Sequence, residues 1–325
     1  MTDVLILGGT GWLSGRIARA WLDAGASVTC VARGGRPGPV GAELVIADRD
    51  DTGALDPLAS RDWDEVVDIS SRPAHVVSAV GALAGAARHW TYLSSLSVYA
   101  RSDEIGPDES AELLIPTAPG DEPDYGRDKV ACEEAVRAAL GDRAAIVRPG
   151  LIVGPGDPTD RFGYWVSRFA LAGEGPVLVP DADARLAEVI DVDDLVDFVV
   201  AAAQRGWMGT ANAIGDVIPL QDVLDLAREA AGHTGATVVA ADDWLVEHEV
   251  AHWAGPRSLP LWLPADMPGF MTHRNDRFRA AGGVLRPLRE TLERTLSDER
   301  ERGLDRDRRA GLSREDELAL IAELT

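Results

Sequence analysis

Val4-Leu5-Ile6-Leu7-Gly8-Gly9-Thr10-Gly11-Trp12-Leu13-Ser14-Gly15 stands almost at the start of the chain. Four consecutive aliphatic residues read as a short strand buried on both faces, glycines follow without a break, and from Trp12 to Ala24 the apolar residues recur with a helical period. Strand, glycine turn and helix in that order make an anion site. Glycine lets the backbone approach a pyrophosphate, and the helix N-terminus offers unpaired N–H groups and the positive end of its dipole. Read as the dinucleotide fingerprint, Gly9 and Gly11 hold the first two places and Ser14 the third, where a small side chain lets the helix pack on the strand. Gly8, Gly9, Thr10, Gly11, Trp12 and Leu13 are therefore expected to touch a nicotinamide dinucleotide.

The same alternation continues to about residue 150. Strands are expected at Val4 to Leu7, Ser27 to Ala32, Glu43 to Ala47, Glu65 to Ile69, Trp90 to Ser94 and Ala144 to Arg148, with helices at Trp12 to Ala24, Ala74 to Arg88 and Tyr125 to Leu140. This is the pattern of a doubly wound parallel α/β sheet. The fingerprint normally brings an acidic residue about 20 positions on, for the ribose hydroxyls of NAD. Here the second strand ends Val31-Ala32-Arg33-Gly34-Gly35-Arg36, so Arg33 and Arg36 favour the 2′-phosphate of NADP(H), with NAD(H) as the alternative. The other reading is a pair of surface arginines in a turn. Asp48, ending the third strand, is a candidate for the adenine amino group or a solvated loop carboxylate. Ser70, Ser71 and Pro149, at later strand ends, complete the expected cofactor set.

After Pro149 glycine, proline and tryptophan accumulate, and the run Ala187 to Val192 reads as a return to the sheet. The expected division is residues 1–150 with about 187–216 as the nucleotide-binding domain, 151–186 with about 217–297 as a smaller interleaved substrate lobe, and 298–325 as a charged helical tail. The chain has 325 residues, with 32 basic side chains against 54 acidic ones for a formal charge of −22. That balance argues against nucleic acid and anionic membrane surfaces as partners. Two cysteines, Cys30 and Cys132, are too few for a disulfide framework, and the N-terminus lacks the basic region of a signal peptide. A cytoplasmic protein is expected.

One lysine occurs in the chain, Lys129, four residues after Tyr125 in Tyr125-Gly126-Arg127-Asp128-Lys129. Every other basic position has become arginine, which suggests that a forked guanidinium would not serve at this one. On a helix the two side chains share a face.

With these motifs the chain resembles the short-chain dehydrogenase/reductase superfamily, as an extended or atypical member of the NAD-dependent epimerase/dehydratase family. The resemblance rests on Gly8 to Gly11, on Tyr92-Leu93-Ser94-Ser95-Leu96-Ser97-Val98-Tyr99, on Tyr125 to Lys129, on Arg148-Pro149-Gly150 with Gly154-Pro155, and on Val189 to Leu195. It implies a Rossmann-type fold. It also implies Ser95 as the residue that polarises the substrate oxygen, Tyr125 as the general acid/base, and Lys129 as the group that tunes Tyr125 and holds the nicotinamide ribose. A homodimer through helices of the nucleotide domain is implied as well. Nucleotide-sugar epimerases usually have an arginine where this chain has Ala187, and the segment Arg148 to Pro155 lacks their customary asparagine. Both departures argue against a nucleotide diphosphate sugar. The activity the resemblance implies first is an oxidoreductase at a secondary alcohol or ketone carbon of a small molecule with a hydroxyl or carbonyl group. An epimerase or dehydratase that recycles its hydride, and a non-catalytic nucleotide sensor, are the alternatives.

Arg161, Tyr164, Trp165 and Arg168 form either a pocket wall or an amphipathic surface helix. His248-Glu249-Val250-Ala251-His252 matches the zinc metalloprotease pattern, but a serine, Ser258, occupies the next ligand position, and a coincidence on a polar helix face is expected.

Overall fold

The structure is a computed structural model and describes residues 2–324. Its N-terminal half runs β1 (Asp3–Leu7), α1 (Trp12–Asp23), β2 (Ser27–Ala32), β3 (Glu43–Ile46), β4 (Trp63–Asp68), α2 (Pro73–Leu83), β5 (Ala87–Leu93), α3 (Tyr125–Leu140) and β6 (Ala144–Pro149). Then come β7 (Leu151–Val153), α4 (Arg161–Ala172), β8 (Val177–Pro180), β9 (Leu186–Ala187), β10 (Val189–Asp191), α5 (Val192–Gln204) and β11 (Gly209–Ala213). The remainder includes β12 (Ile218–Pro219), α6 (Leu220–Ala231), β13 (Thr237–Ala240), α7 (Asp242–Glu247), α8 (Asp276–Ala280), α9 (Leu288–Arg302) and α10 (Arg314–Leu324).

Seven parallel strands form one sheet in the order β3-β2-β1-β4-β5-β6-β11. Period-two alternation explains why β1 is apolar throughout. Val4 and Ile6 pack with Ile17 and Trp21 of α1 and Phe198 of α5, whereas Leu5 and Leu7 pack with Val76 and Leu83 of α2 and Val136 of α3. Each such side chain, fully buried, contributes about 1.5–3 kcal/mol. The sheet reverses direction of growth between β1 and β4, and a parallel sheet opens its binding crevice there, at the carboxyl ends of the strands.

The structure departs from the sequence reading in four places. The run Ala187 to Val192 does not return to the main sheet: β9 pairs with β12 and β10 with β7 in separate two-stranded ladders, and β11 is the strand that joins β6. The helix expected over Ala74 to Arg88 ends at Leu83, and Ala87 already pairs with Trp63 in the sheet, because alanine suits either period and the ladder claims the segment. The boundary expected at Asp298 falls inside α9, and the charged helical segment beyond it is packed against the rest of the chain. Glu299, 2% exposed, takes Arg302, Arg306 and Arg308, and Glu317 of α10, fully buried, accepts from the Leu178 amide while Leu320 and Ile321 join the core of the second lobe. Finally, the row from Arg161 to Arg168 is mostly core: Tyr164 and Trp165 have no exposed surface and Arg168 only 5%. No helix among the described residues is long and apolar enough to cross a membrane.

A buried pair near the amino ends of β4 and β5 links stability to pH. His89 Nδ1 meets the Glu65 carboxylate and Nε2 meets the Trp207 carbonyl oxygen at 2.8 Å, so both ring nitrogens face acceptors. Burial opposes the imidazolium, but Glu65 and the carbonyl more than offset it and raise the His89 pKa above 6.5. A raised histidine pKa stabilises the fold fully below the unfolded value, and that contribution is lost as pH rises through the folded one. Urea titrations of wild type and His89→Gln are expected to show a stability difference that is largest at pH 6 and shrinks toward pH 9. A difference that grows with pH would contradict the charged state.

Candidate active site

The glycine loop between β1 and α1 is built for close approach. Gly8 has φ +93°, and a Cβ on Gly9 would come within 2.4 Å of Cys30 Sγ in β2. Ser14, in the third fingerprint place, clamps the loop: its hydroxyl donates to the Gly8 carbonyl at 2.7 Å and accepts from the Gly11 amide at 3.0 Å. Serine therefore does more here than stay small. The first-turn amides of α1, from Trp12 on, are those a helix leaves without an internal acceptor.

Lys129 and Tyr125 reach the same crevice from α3. The helix begins at Tyr125 because the Asp124 carboxylate caps it, accepting from the Arg127 amide at 2.9 Å. Gly126 lets it dock, since a Cβ there would lie 2.3 Å from the Ser97 carbonyl oxygen. Lys129 is 3% exposed and its ammonium donates to the carbonyl oxygens of Leu93 (2.6 Å), Ser70 (3.0 Å) and Ile69 (3.3 Å). Burial pushes its pKa down to about 8. The compact ammonium ties the ends of β4 and β5 together, and a planar fork would not fit three converging carbonyls. Eight residues past Tyr125 on the same helix, Glu133 receives a bidentate Arg148 at 2.9 and 2.7 Å, and Arg148 also donates to the Tyr99 hydroxyl at 3.0 Å. The arginine of the Arg148-Pro149-Gly150 motif is thus a buried strut that locks α3 to β6.

A cleft of about 510 Å³ is lined by Trp12, Leu13, Ser95, Tyr125, Lys129 and Pro149 from the expected set. Ser95 sits in the turn after β5, where its oxygen accepts the Ser97 amide at 3.1 Å and lies 3.1 Å from the Ser97 hydroxyl. Tyr125 is 55% exposed as a residue, yet desolvation of its phenol raises the pKa, while Ser95 and the charge of Arg161 pull it down. The pull expected from Lys129 is not among these, since that ammonium is turned onto the three carbonyls.

The other expected cofactor residues do not line this cleft, but they stand at the same sheet edge. Arg33 and Arg36 follow β2, both exposed and without an ion-pair partner among the described residues. Asp48 follows β3, where one of its oxygens is taken by the Asp50 amide at 3.1 Å. Ser70 and Ser71 follow β4, half-buried, the Ser70 carbonyl also accepting from the Tyr92 hydroxyl at 2.8 Å.

Arg161, one of the candidate pocket-wall residues, lines the cleft with its guanidinium over the Trp253 ring at 4.8 Å. Glu188 and His273, a buried pair at 2.7 Å, escaped the sequence reading. Glu188 is adjacent to the Ala187 departure, the one signal that could have drawn attention to it. Arg185, the nearest arginine, is held by the Asp242 carboxylate and the Asp181 and Leu263 carbonyls. The metalloprotease pattern dissolves in three dimensions. Helix α7 ends at Glu247, Glu249 has φ 57°, His248 stacks on Trp244 and His252 on Trp262. The expected polar helix face does not exist, and no group of three or more potential metal ligands occurs among the described residues.

Residues 4–215 match the profile of the NAD dependent epimerase/dehydratase family. The chain belongs to this family. A curated relative, 2'-dehydrokanamycin reductase of Streptomyces kanamyceticus, is 28% identical over 259 residues, covering 75% of this chain and 71% of the relative. Among solved structures, a putative epimerase from Burkholderia cenocepacia J2315 superposes with a TM-score of 0.72 at 22% identity, covering 92% of this chain and 98% of that one. UDP-glucuronic acid 4-epimerase from Bacillus cereus, in complex with NAD, gives 0.67 at 14% identity, covering 92% and 99%. At these identities the structural likeness speaks for the fold. The family's nicotinamide cofactor fits the residues present: a Cβ-free cradle at Gly8 and Gly9, a helix N-terminus facing it, and a crevice at the strand ends.

Proposed function

We propose that this family member is an NADP(H)-preferring oxidoreductase acting at a secondary alcohol or ketone carbon of a small polar ring. The observation that carries the reading is the convergence of Ser95, Tyr125 and Lys129 on one cleft wall at the carboxyl end of the sheet. When bound, the cofactor supplies or accepts the hydride. Ser95 donates a hydrogen bond to the substrate carbonyl, polarising it and fixing its orientation. Tyr125 then delivers its proton to the oxygen as negative charge develops, and takes it back in the oxidative direction. Arg161 and Ser95 make the phenolate easier to reach than burial alone would allow. Lys129 holds the ends of β4 and β5 rigid, at the strand ends where the cofactor would bind.

A reductase is favoured over a nucleotide-sugar epimerase because the place of the phosphate-binding arginine is the buried Ala187, and Arg185 is committed elsewhere. The reductase named among the relatives supports the same direction and suggests an aminoglycoside ketone as a first substrate to try. Unpaired Arg33 and Arg36 at the end of β2 support the preference for NADP(H).

Nucleotide released on denaturation, followed by titration of the stripped protein with NADPH and NADH, tests the reading. Exchangeable binding that prefers NADPH supports a reductase, whereas stoichiometric retained NAD would favour an epimerase or dehydratase that recycles its hydride. The double variant Arg33→Ala/Arg36→Ala is expected to weaken NADPH about 10- to 100-fold and leave NADH unchanged, since charge-assisted hydrogen bonds contribute roughly 1.5–3 kcal/mol. Equal loss for both nucleotides would remove the NADP assignment.

A further inference from the structure

The cleft that holds Tyr125 also carries a carboxylate–imidazole pair for which the hydride-transfer reading has no use. His273 Nδ1 lies 2.7 Å from Glu188 Oε1, and the two residues are only 6% and 1% exposed. Such burial would be costly for an idle pair. In the neutral ring the proton sits on Nδ1, donated to the carboxylate, which makes Nε2 a hydrogen-bond acceptor. Nε2 has no partner, and it is not among the sealed-off polar atoms of the molecule, whereas Glu188 Oε2 is. Both residues line the same cleft as Ser95 and Tyr125.

Its neighbours fix the position of the ring. The Gly106 amide donates to the Thr272 hydroxyl at 2.9 Å and the Arg274 amide to the Pro107 carbonyl at 3.0 Å, which pins the backbone before and after His273. The Tyr99 ring packs on the imidazole at 5.3 Å between centroids. A preoriented acceptor with a carboxylate behind it suits a donor on the ligand and repels an anion.

We propose that His273, oriented by Glu188, reads a hydrogen-bond donor on the substrate, a hydroxyl or an ammonium group next to the reacting carbon. The inference rests on the cleft being the substrate site of the oxidoreductase proposed above. It excludes carboxylate- and phosphate-bearing rings from this subsite, and so agrees with Ala187 standing where a phosphate-binding arginine would be.

Protein saturated with NADP+ is titrated with D-glucose, D-glucosamine and D-glucuronate, binding being followed by saturation-transfer NMR. Nucleotide affinity and melting temperature are recorded for each variant. Glucose or glucosamine is expected to bind at least tenfold more tightly than glucuronate. His273→Gln is expected to lower that affinity about tenfold while leaving NADP+ affinity unchanged. Glu188→Gln keeps an acceptor for Nδ1–H and removes only the charge, so it folds even if the first variant does not. A loss of glucosamine binding in Glu188→Gln with glucose unaffected identifies an ammonium as the donor, and equal affinities for the two sugars in that variant identify a hydroxyl. Unchanged sugar affinity in His273→Gln overturns the proposal, as does glucuronate binding as well as glucose, or no sugar binding by protein that holds NADP+. Failure to bind NADP+ at all strikes instead at the oxidoreductase reading.

Discussion

Tyr125→Phe is expected to remove turnover, by about 10²–10⁴-fold or more, and to leave nucleotide affinity nearly unchanged. The substitution deletes one oxygen from a half-exposed ring on the first turn of α3 and touches neither the Asp124 cap nor the Gly126 contact with the Ser97 carbonyl. The helix, the Lys129 ammonium and the glycine loop all stay where they are. What disappears is the proton that must meet the substrate oxygen while hydride arrives. Single-turnover reduction with NADPH, compared with NADPH affinity from the same preparations, separates the two effects. Activity of the phenylalanine variant within a few-fold of wild type would refute the assignment of Tyr125 as acid and leave Ser95 or a water molecule to carry the proton.

Arg148→Met is expected to destabilise the fold by about 3–5 kcal/mol, the usual effect of removing one partner from a buried ion pair. Methionine fills much of the arginine volume, so the loss is electrostatic. Glu133, 1% exposed, would keep its charge with only Arg137 at 3.3 Å beside it, and the Tyr99 hydroxyl would lose a donor. Burial by itself raises the Glu133 pKa, but the bidentate Arg148 more than offsets this and holds the carboxyl below its usual range. A depressed carboxyl pKa stabilises above the unfolded value of about 4.3, and the contribution fades as pH falls through the folded one. Urea unfolding of wild type and Arg148→Met should therefore diverge most at neutral pH and converge under acid conditions. Because Glu133 shares a helix face with Lys129 and Tyr125, the same variant should also lower activity in whatever fraction remains folded.

The motif Arg148-Pro149-Gly150 illustrates how sequence and structure divide the problem. The sequence marks the arginine as part of a recurring pattern but cannot say whether it contacts substrate or holds the frame; the bidentate contact with Glu133, 15 residues earlier, assigns it to the frame. The lone lysine is similar. Its singularity among arginines announces a constraint, yet the constraint is three carbonyls at the ends of two neighbouring strands, which no spacing of residues reveals.

Local chemistry alone determined the parallel sheet, the glycine loop and the start of α3. Period-two burial, glycine's freedom at Gly8 and the Asp124 cap act over a few residues, and the sequence displays all of them. Only the tertiary structure decided which side chains share the cleft. Glu188 and His273 lie 85 residues apart, and Arg161 reaches Trp253 across a comparable gap, because chain crossings and packing bring them together. The metalloprotease pattern failed for the same reason in reverse: its spacing requires a helix, and the backbone at Glu249 turns to positive φ instead. Spacing carries chemistry only where the backbone that gives it meaning persists, and beyond one turn of helix or one strand the packing of the whole molecule decides that.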